Sequence, residues 1–262
     1  MAKEQDIEIA VDGRGVAVVT LNRPQKRNAV SLAMWQALGG IFDDLGARAD
    51  VRVVILTGAG GHFCAGADIS EFPEVRFDVE SGRIYEEAGE AASRAIRDCR
   101  KPTIAAISGY AIGGGCGLAL CCDFRVADKS ARMGITAAKL GIVYGPLDCD
   151  LLYRQVGLAN AKRVLFTGRH FAIDDCVSMG LVDIVAPETA IENAHAFAAE
   201  IAASAPLSVA GSKLILEAIA AGTVESRGEE IARVIDGAME SADYREGARA
   251  FIEKRRANFV GR

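Results

Sequence analysis

Two glycine-rich segments carry the clearest chemical signal in this sequence. Gly60-Gly-His-Phe-Cys-Ala-Gly-Ala-Asp-Ile69 follows one apolar run, and Gly109-Tyr-Ala-Ile-Gly-Gly-Gly-Cys-Gly117 follows another and opens an apolar helix. Glycines at strand ends let backbone N–H groups face a ligand without side-chain obstruction. Two such groups, converging from two loops, can hold one oxygen. A carbonyl oxygen that gains negative charge in a transition state is what such a pair stabilises. Either segment alone reads more readily as a tight turn, because isolated glycine-rich matches are weak signals. The order and spacing of the two together favour the oxyanion reading.

Such loops need rigid elements behind them. Residues 51–57 and 103–107 are near-continuous apolar runs, which predicts parallel strands covered on both faces. Residues 7–11 and 16–21 predict a hairpin joined through Asp12-Gly13. Ser31 is placed to cap a helix whose apolar residues Leu32, Trp35, Leu38, Ile41, Phe42 and Leu45 recur at helical spacing. A further helix is expected over residues 81–99 and a strand over residues 124–127. Strand and helix in alternation predict right-handed βαβ units and an α/β core. Beyond residue 187 the pattern changes to three or four helices rich in Ala and Glu. The predicted organisation is a core over residues 1–190 and a helical C-terminal region over residues 191–262.

Composition narrows the function. In 262 residues, 50% are hydrophobic and 25% charged, enough to build a core without disulfide or metal staples. The net charge of −5 and the lack of a basic stripe with interleaved aromatics speak against nucleic-acid binding. The short run Lys254, Arg255, Arg256 reads as a solvated helix face. Seven cysteines, none in a C-x-x-C pair, read as reduced, mostly buried thiols of a cytoplasmic protein. His62, His170 and His195 are scattered, so no metal site is expected. The polar start Met1–Asp6 predicts neither a signal nor a transit peptide. No apolar run reaches the roughly 18 residues of a membrane span.

Several motifs fall in register with one family. Leu21-Asn-Arg-Pro-Gln-Lys-Arg-Asn-Ala29, Phe63-Cys-Ala-Gly-Ala-Asp-Ile69, Lys101-Pro-Thr-Ile-Ala-Ala-Ile-Ser-Gly-Tyr-Ala-Ile-Gly-Gly-Gly-Cys116 and Cys122-Asp-Phe-Arg-Val-Ala127 resemble the enoyl-CoA hydratase/isomerase (crotonase) family. The similarity continues through Leu165-Phe-Thr-Gly168, Gly180-Leu-Val-Asp183 and the stretch from Glu246 to Arg255, nearly the whole chain. The resemblance implies a crotonase-like spiral of ββα turns making two sheets, followed by a helical trimerisation region. It implies that the backbone N–H groups of Ala67 and Gly114 form an oxyanion hole for a thioester carbonyl. It implies CoA contacts around Lys26, Arg27, Ala65, Asp68 and Ile69. Phe251 and Lys254 are implied to reach the CoA of a neighbouring subunit; a core anchor and a solvated charge are the competing readings. The implied ligand is an acyl-CoA thioester with no cofactor beyond CoA itself, and the implied assembly is a homotrimer or homohexamer.

The sequence departs from that family where hydratases carry two catalytic glutamates. Gly117 and Ala137 stand in those places, and neither can move a proton. Each missing general acid or base is worth about 100- to 10,000-fold, and the resemblance implies a carboxylate at the Ala137 position for the isomerases too, so neither an efficient hydratase nor a simple isomerase is expected. Tyr144, in Leu140-Gly-Ile-Val-Tyr-Gly-Pro146, resembles the pocket tyrosine of the methylmalonyl-CoA decarboxylase branch. Decarboxylation of a malonyl-type CoA ester is therefore one alternative, and a catalytically silent acyl-CoA binding protein is another. Asp148 reads as the N-cap of a helix starting near Cys149, with a pocket-facing role as the other choice. Glu86 or Glu87 could supply a carboxylate from a new direction. Lys139 is read as solvated before it is read as a carboxylate ligand. His62 is placed near the CoA entrance, and Cys116 and Cys149 are nucleophiles only if a base adjoins them.

Overall fold

The computed structural model describes residues 6–262; the polar start read as lacking a targeting signal lies almost entirely outside them. A hairpin opens the fold: β1 (Ile7–Val11) pairs antiparallel with β2 (Val16–Leu21). After α1 (Leu32–Ala47), β3 (Val53–Gly58) pairs parallel with β2. Next come the short α2 (Phe72–Val75) and the long α3 (Val79–Arg97). Then follow β4 (Thr103–Ile107), β5 (Tyr110–Ile112), α4 (Gly114–Cys121), β6 (Phe124–Ala127) and β7 (Arg132–Gly134). The chain continues through α5 (Ala137–Leu140), α6 (Pro146–Thr167), β8 (Phe171–Ala172), α7 (Ile173–Met179) and β9 (Ile184–Val185). Four helices complete it: α8 (Ala190–Ala202), α9 (Pro206–Ala221), α10 (Gly228–Glu240) and α11 (Ala242–Ile252).

The strands form two sheets. The first runs β1-β2-β3-β4-β6-β9 and is parallel from β2 onward; the second runs β5-β7-β8. This is the mixed α/β architecture that the apolar runs and the resemblance anticipated. Alternate residues of the central strands serve two cores. Val54, Leu56, Ala105 and Ile107 face one way, toward Leu38, Phe42 and Ile96 of α1 and α3. Val53, Ile55, Ile104 and Ala106 face the other way.

That second face is sealed by α8. Its residues Ala190, Ala194, Ala198 and Ala202 recur every fourth position and lie buried against the sheet. Small side chains there let the helix approach the strands closely. The expected boundary at residue 190 therefore falls at the start of a helix that belongs to the sheet. Beyond it, α9 packs on α10 and α10 on α11. Among the described residues no single helix is long and apolar enough to cross a membrane.

Helix ends follow their sequence signals. Ser31 caps α1 by accepting from Met34 N, and Asp78 caps α3 in a reciprocal box with Ser81. The expected start of the second helix, at residue 81, thus lies two residues inside α3. One expectation fails: α6 begins at Pro146 with Gly145 as its N-cap, so Asp148 sits inside the first turn and caps nothing. Proline is well suited to the first helical position, and Pro146 was the overlooked start signal.

Candidate active site

The two glycine-rich loops meet above the ends of β3 and β4. Cys64 N donates to Tyr110 O at 2.7 Å, and Ile112 N returns to Cys64 O at 2.9 Å, lacing one loop to the other. Val30 N donates to Gly66 O at 2.8 Å, and Asp68 N to Val30 O at 2.9 Å, holding the first loop on its other side. Asn28 is the buried pin beneath: its Nδ2 donates to Ala59 O at 2.8 Å and to His62 O at 2.6 Å. Its signal was the Asn in Arg27-Asn-Ala29, which the motif contained but gave no role.

Between these loops two backbone N–H groups converge. The point a Cβ would occupy on Gly66 lies 3.3 Å from Gly114 N, and the corresponding point on Gly114 lies 3.7 Å from Ala67 N. Among the described residues neither N–H donates to a protein acceptor. Gly114 is the first residue of α4, where an N–H has no intrahelical partner and the helix dipole favours negative charge. Gly113 before it holds φ 58 and ψ −123, a backbone conformation that only glycine adopts readily. Such a pair of donors can hold one oxygen, and can hold it better as charge develops there.

A pocket of about 280 Å³ opens onto these donors. Ala65, Ala67, Ile69, Gly114, Gly117, Ala137 and Tyr144 all line it, as does Asp148. The carboxylate of Asp148 lies beside Gly117: its Oδ1 is 3.7 Å from where a Gly117 Cβ would be, in van der Waals contact with that position. Burial, followed by the charges of Glu86 and Glu90, pushes the Asp148 carboxyl up to about 6. A carboxylate lost at one position of the sequence is thus supplied from α6 to the same pocket. Burial, with Asp148 adding to it, pushes the Tyr144 phenol far above its ordinary value, so it remains a proton donor. Trp35 forms another wall and donates from Nε1 to the Tyr85 hydroxyl at 3.0 Å.

Asp68 organises the rim. Its Oδ2 accepts from Lys26 Nζ at 2.7 Å and from Arg23 at 2.9 Å, while its Oδ1 accepts from Ser70 N at 3.3 Å. Burial acts to raise its pKa, but the hydrogen bonds from Lys26, Ser70 and Arg23 outweigh it and hold the carboxyl well below the usual range. Asp68 is only 5% exposed, so Asp68→Ala would leave Arg23 largely buried and unpaired. The expected loss is about 3 kcal/mol of stability at neutral pH, read by denaturant unfolding. Because the folded pKa is depressed, this contribution is full above about pH 4 and fades as the pH falls further.

Other expected contacts divide. Arg27 lies over the Tyr110 ring at 5.2 Å and, like Lys26, is exposed at the rim. His62 stacks on the Tyr110 ring at 5.0 Å and does not line the pocket. Glu86 lines it and Glu87 does not. Phe251 and Lys254 are exposed at the end of α11 and are not part of this chain's own pocket. The Phe251 ring is 86% exposed, which removes the core-anchor reading. Lys139 packs its stem over Gly168 and is also absent from the pocket. Burial pushes the Cys116 thiol up to about 12, and burial also raises Cys149, so neither is an activated nucleophile.

Fold and pocket together define a mixed α/β enzyme scaffold with its site where two loops leave a parallel sheet. The sequence profile of the enoyl-CoA hydratase/isomerase family matches residues 12–262. A Thermus thermophilus protein provisionally named an enoyl-CoA hydratase is 38% identical over 253 residues, 96% of this chain and 100% of that one. The short-chain-enoyl-CoA hydratase of Clostridium acetobutylicum is 34% identical over 243 residues, 92% of each chain. A Hyphomonas neptunium crystal structure, provisionally described as an enoyl-CoA hydratase/isomerase family protein, superimposes with a TM-score of 0.93 at 36% identity, covering 98% of both chains. The chain belongs to the enoyl-CoA hydratase/isomerase family of the crotonase superfamily, and it is an enzyme of that group.

Proposed function

We propose that this enzyme shifts the double bond of an enoyl-CoA thioester through an enolate, with Asp148 as the proton-transferring group. The observation that carries the reading is the Asp148 carboxylate, held at a raised pKa in the pocket that also contains Ala67 and Gly114. In this reaction the Asp148 carboxylate takes a proton from the α-carbon of a 3-enoyl thioester. The electron pair moves into the thioester, and the Ala67 and Gly114 N–H groups hold the oxygen anion. The Asp148 carboxyl then returns the proton to the γ-carbon, giving the 2-enoyl thioester. One carboxylate suffices for both transfers. Hydration needs more: a base on the water and an acid at the α-carbon. With Gly117 and Ala137 silent, hydration is the slower reaction here.

Tyr144 stays protonated and lines the pocket, placed to donate a hydrogen bond to the bound acyl group. Tyr144→Phe is expected to lower kcat about tenfold, the effect of one lost hydrogen bond of about 1–1.5 kcal/mol. Steady-state kinetics on the best substrate check it. The decarboxylase alternative meets an obstacle in the pocket wall. Glu86, Glu90 and Asp148 line it against a single cation, Arg76, so a malonyl-type carboxylate would enter a field of its own sign.

CoA binding is assigned to the rim: the Lys26 and Arg27 side chains and the segment Ala65, Asp68 and Ile69. The exposed Phe251 and Lys254 are assigned to the CoA of a neighbouring subunit in a homotrimer or homohexamer. Light scattering of the pure protein tests that assembly. The seven free cysteines suit a reducing cytoplasm.

The deciding experiment is incubation with 3-hexenoyl-CoA and with crotonyl-CoA, followed by chromatographic and mass analysis. Conversion of the first to 2-hexenoyl-CoA, faster than water is added to the second, is the expected outcome. Rapid addition of water to crotonyl-CoA without isomerisation would overturn the reading. Loss of carbon dioxide from methylmalonyl-CoA at a higher rate would favour the decarboxylase instead.

A further inference from the structure

One wall of the pocket is a single helical face. Tyr85, Glu86, Gly89, Glu90 and Ser93 of α3 all line it. At the end of this face Arg76 lies over two rings, its guanidinium 5.2 Å from the Phe72 ring centre and 5.7 Å from that of Tyr85. It pairs with Glu86 at 2.5 Å. On the far side is an outer groove of about 420 Å³, lined by Asp78, Val79, Gly82, Arg83 and Glu87. Arg76, Glu86 and Glu90 line the pocket and the groove alike. The wall between the two is therefore one ion pair thick.

We propose that the acyl chain runs along this face of α3 and that Arg76, held by Glu86, is the partition that ends it, restricting the enzyme to short acyl groups. This rests on the acyl-CoA reading above and adds the specificity determinant to it. The chemistry of the barrier is direct. A methylene chain reaching Arg76 must either stop or separate a charged pair and lift a guanidinium off two aromatic rings. Without that side chain, the pocket is continuous with the groove, where Val79 and Gly82 lie among the charged Asp78, Arg83 and Glu87. Gly89 sets the width of the same passage. A Cβ at Gly89 would meet nothing within 4 Å, so this turn of the helix offers open space to the chain.

Two variants test the proposal in opposite directions, using binding of unreactive saturated acyl-CoA esters from butanoyl to dodecanoyl, measured by calorimetry. In the unchanged protein, affinity is expected to rise with the first methylenes and then level off. In Arg76→Ala it should keep rising into the longer esters, by up to about fourfold per methylene, the equivalent of ~0.8 kcal/mol for each one fully buried. Gly89→Leu favours the helix, so it should fold, and it should lose the longer esters while keeping butanoyl-CoA. Arg76→Lys, which keeps the charge, should stay close to the unchanged profile. Identical length profiles in all forms, with binding intact, would overturn the partition and leave the acyl-CoA reading standing. Failure of the unchanged protein to bind any ester would overturn both.

Discussion

Replacing Gly114 by proline is expected to lower kcat by about 100- to 1,000-fold, because it removes one of the two N–H groups that hold the developing oxyanion. The position allows a clean test. Gly114 is the first residue of α4, where proline is well tolerated and no intrahelical hydrogen bond is lost. Any side chain there brings a second effect, since a Cβ would come within 3.0 Å of the Trp35 ring. Gly114→Ala carries the same Cβ and keeps the N–H. The difference between the two variants separates the loss of the N–H, whose place the proline ring carbon takes, from the Cβ crowding. Alanine should cost far less than proline in kcat, while both should share any change in KM. Equal losses would mean that the wall, and not the N–H, governs turnover.

The second large effect is expected at Asp148. Asp148→Asn should lower kcat by about 100- to 10,000-fold, the worth of a general acid or base. It should also make the protein more stable. The folded-state carboxyl is raised to about 6 by burial and by Glu86 and Glu90. The native protein therefore holds that proton more tightly than the unfolded chain does. Keeping the group ionised costs stability at every pH above about 6, and the cost is relieved as the pH falls toward about 4. The difference between about 6 in the folded protein and about 4 in the unfolded chain corresponds to roughly 3 kcal/mol at most. The asparagine variant should thus gain about 1–3 kcal/mol at pH 8 and almost nothing at pH 4, read by urea unfolding. In the unchanged enzyme, kcat/KM should fall as the pH drops through about 6, where the base is lost by protonation. An inactive variant with no gain in stability would point to a merely structural carboxylate.

What the sequence made legible, and what it hid, follows from the length scale of each signal. The β3 and β4 runs were readable because both faces of those strands are covered, leaving no polar alternation to confuse them. The two loops were readable because Gly66, Gly113 and Gly114 sit where backbone or a ring passes too close for a side chain, or where φ is positive. The strands β5, β7, β8 and β9 were not, since two or three residues carry no measurable period. The sheet-facing role of α8 was hidden for another reason. Its stripe is made of alanines, whose weak hydrophobicity gives little contrast with the rest of an Ala-rich helix.

Within the site the same limit appears. The absence of glutamates at Gly117 and Ala137 is visible in one dimension, but their replacement is not. Asp148 lies 31 residues beyond Gly117 in the chain and meets its space only after α6 has packed on α4. A cap-type residue behind a tyrosine is read locally as a cap. Only the packing turns it into a half-buried carboxylate lining the same pocket as the two backbone donors. The Arg76–Glu86 pair is equally invisible beforehand, because it joins the end of α2 to the second turn of α3 through a bend that no period predicts.

The central claim is that the pocket makes an acyl-CoA enolate and that Asp148 moves its α-proton. Hydrogen exchange tests it whatever acyl group the enzyme takes in nature. The protein is incubated with butanoyl-CoA in heavy water at pH 8, and deuterium at the α-carbon is followed by nuclear magnetic resonance. Exchange in the unchanged enzyme, abolished in Asp148→Asn and strongly slowed in Gly114→Pro, is the expected result. Exchange that persists undiminished in Asp148→Asn, or bound ester that never exchanges in the unchanged enzyme, would contradict it.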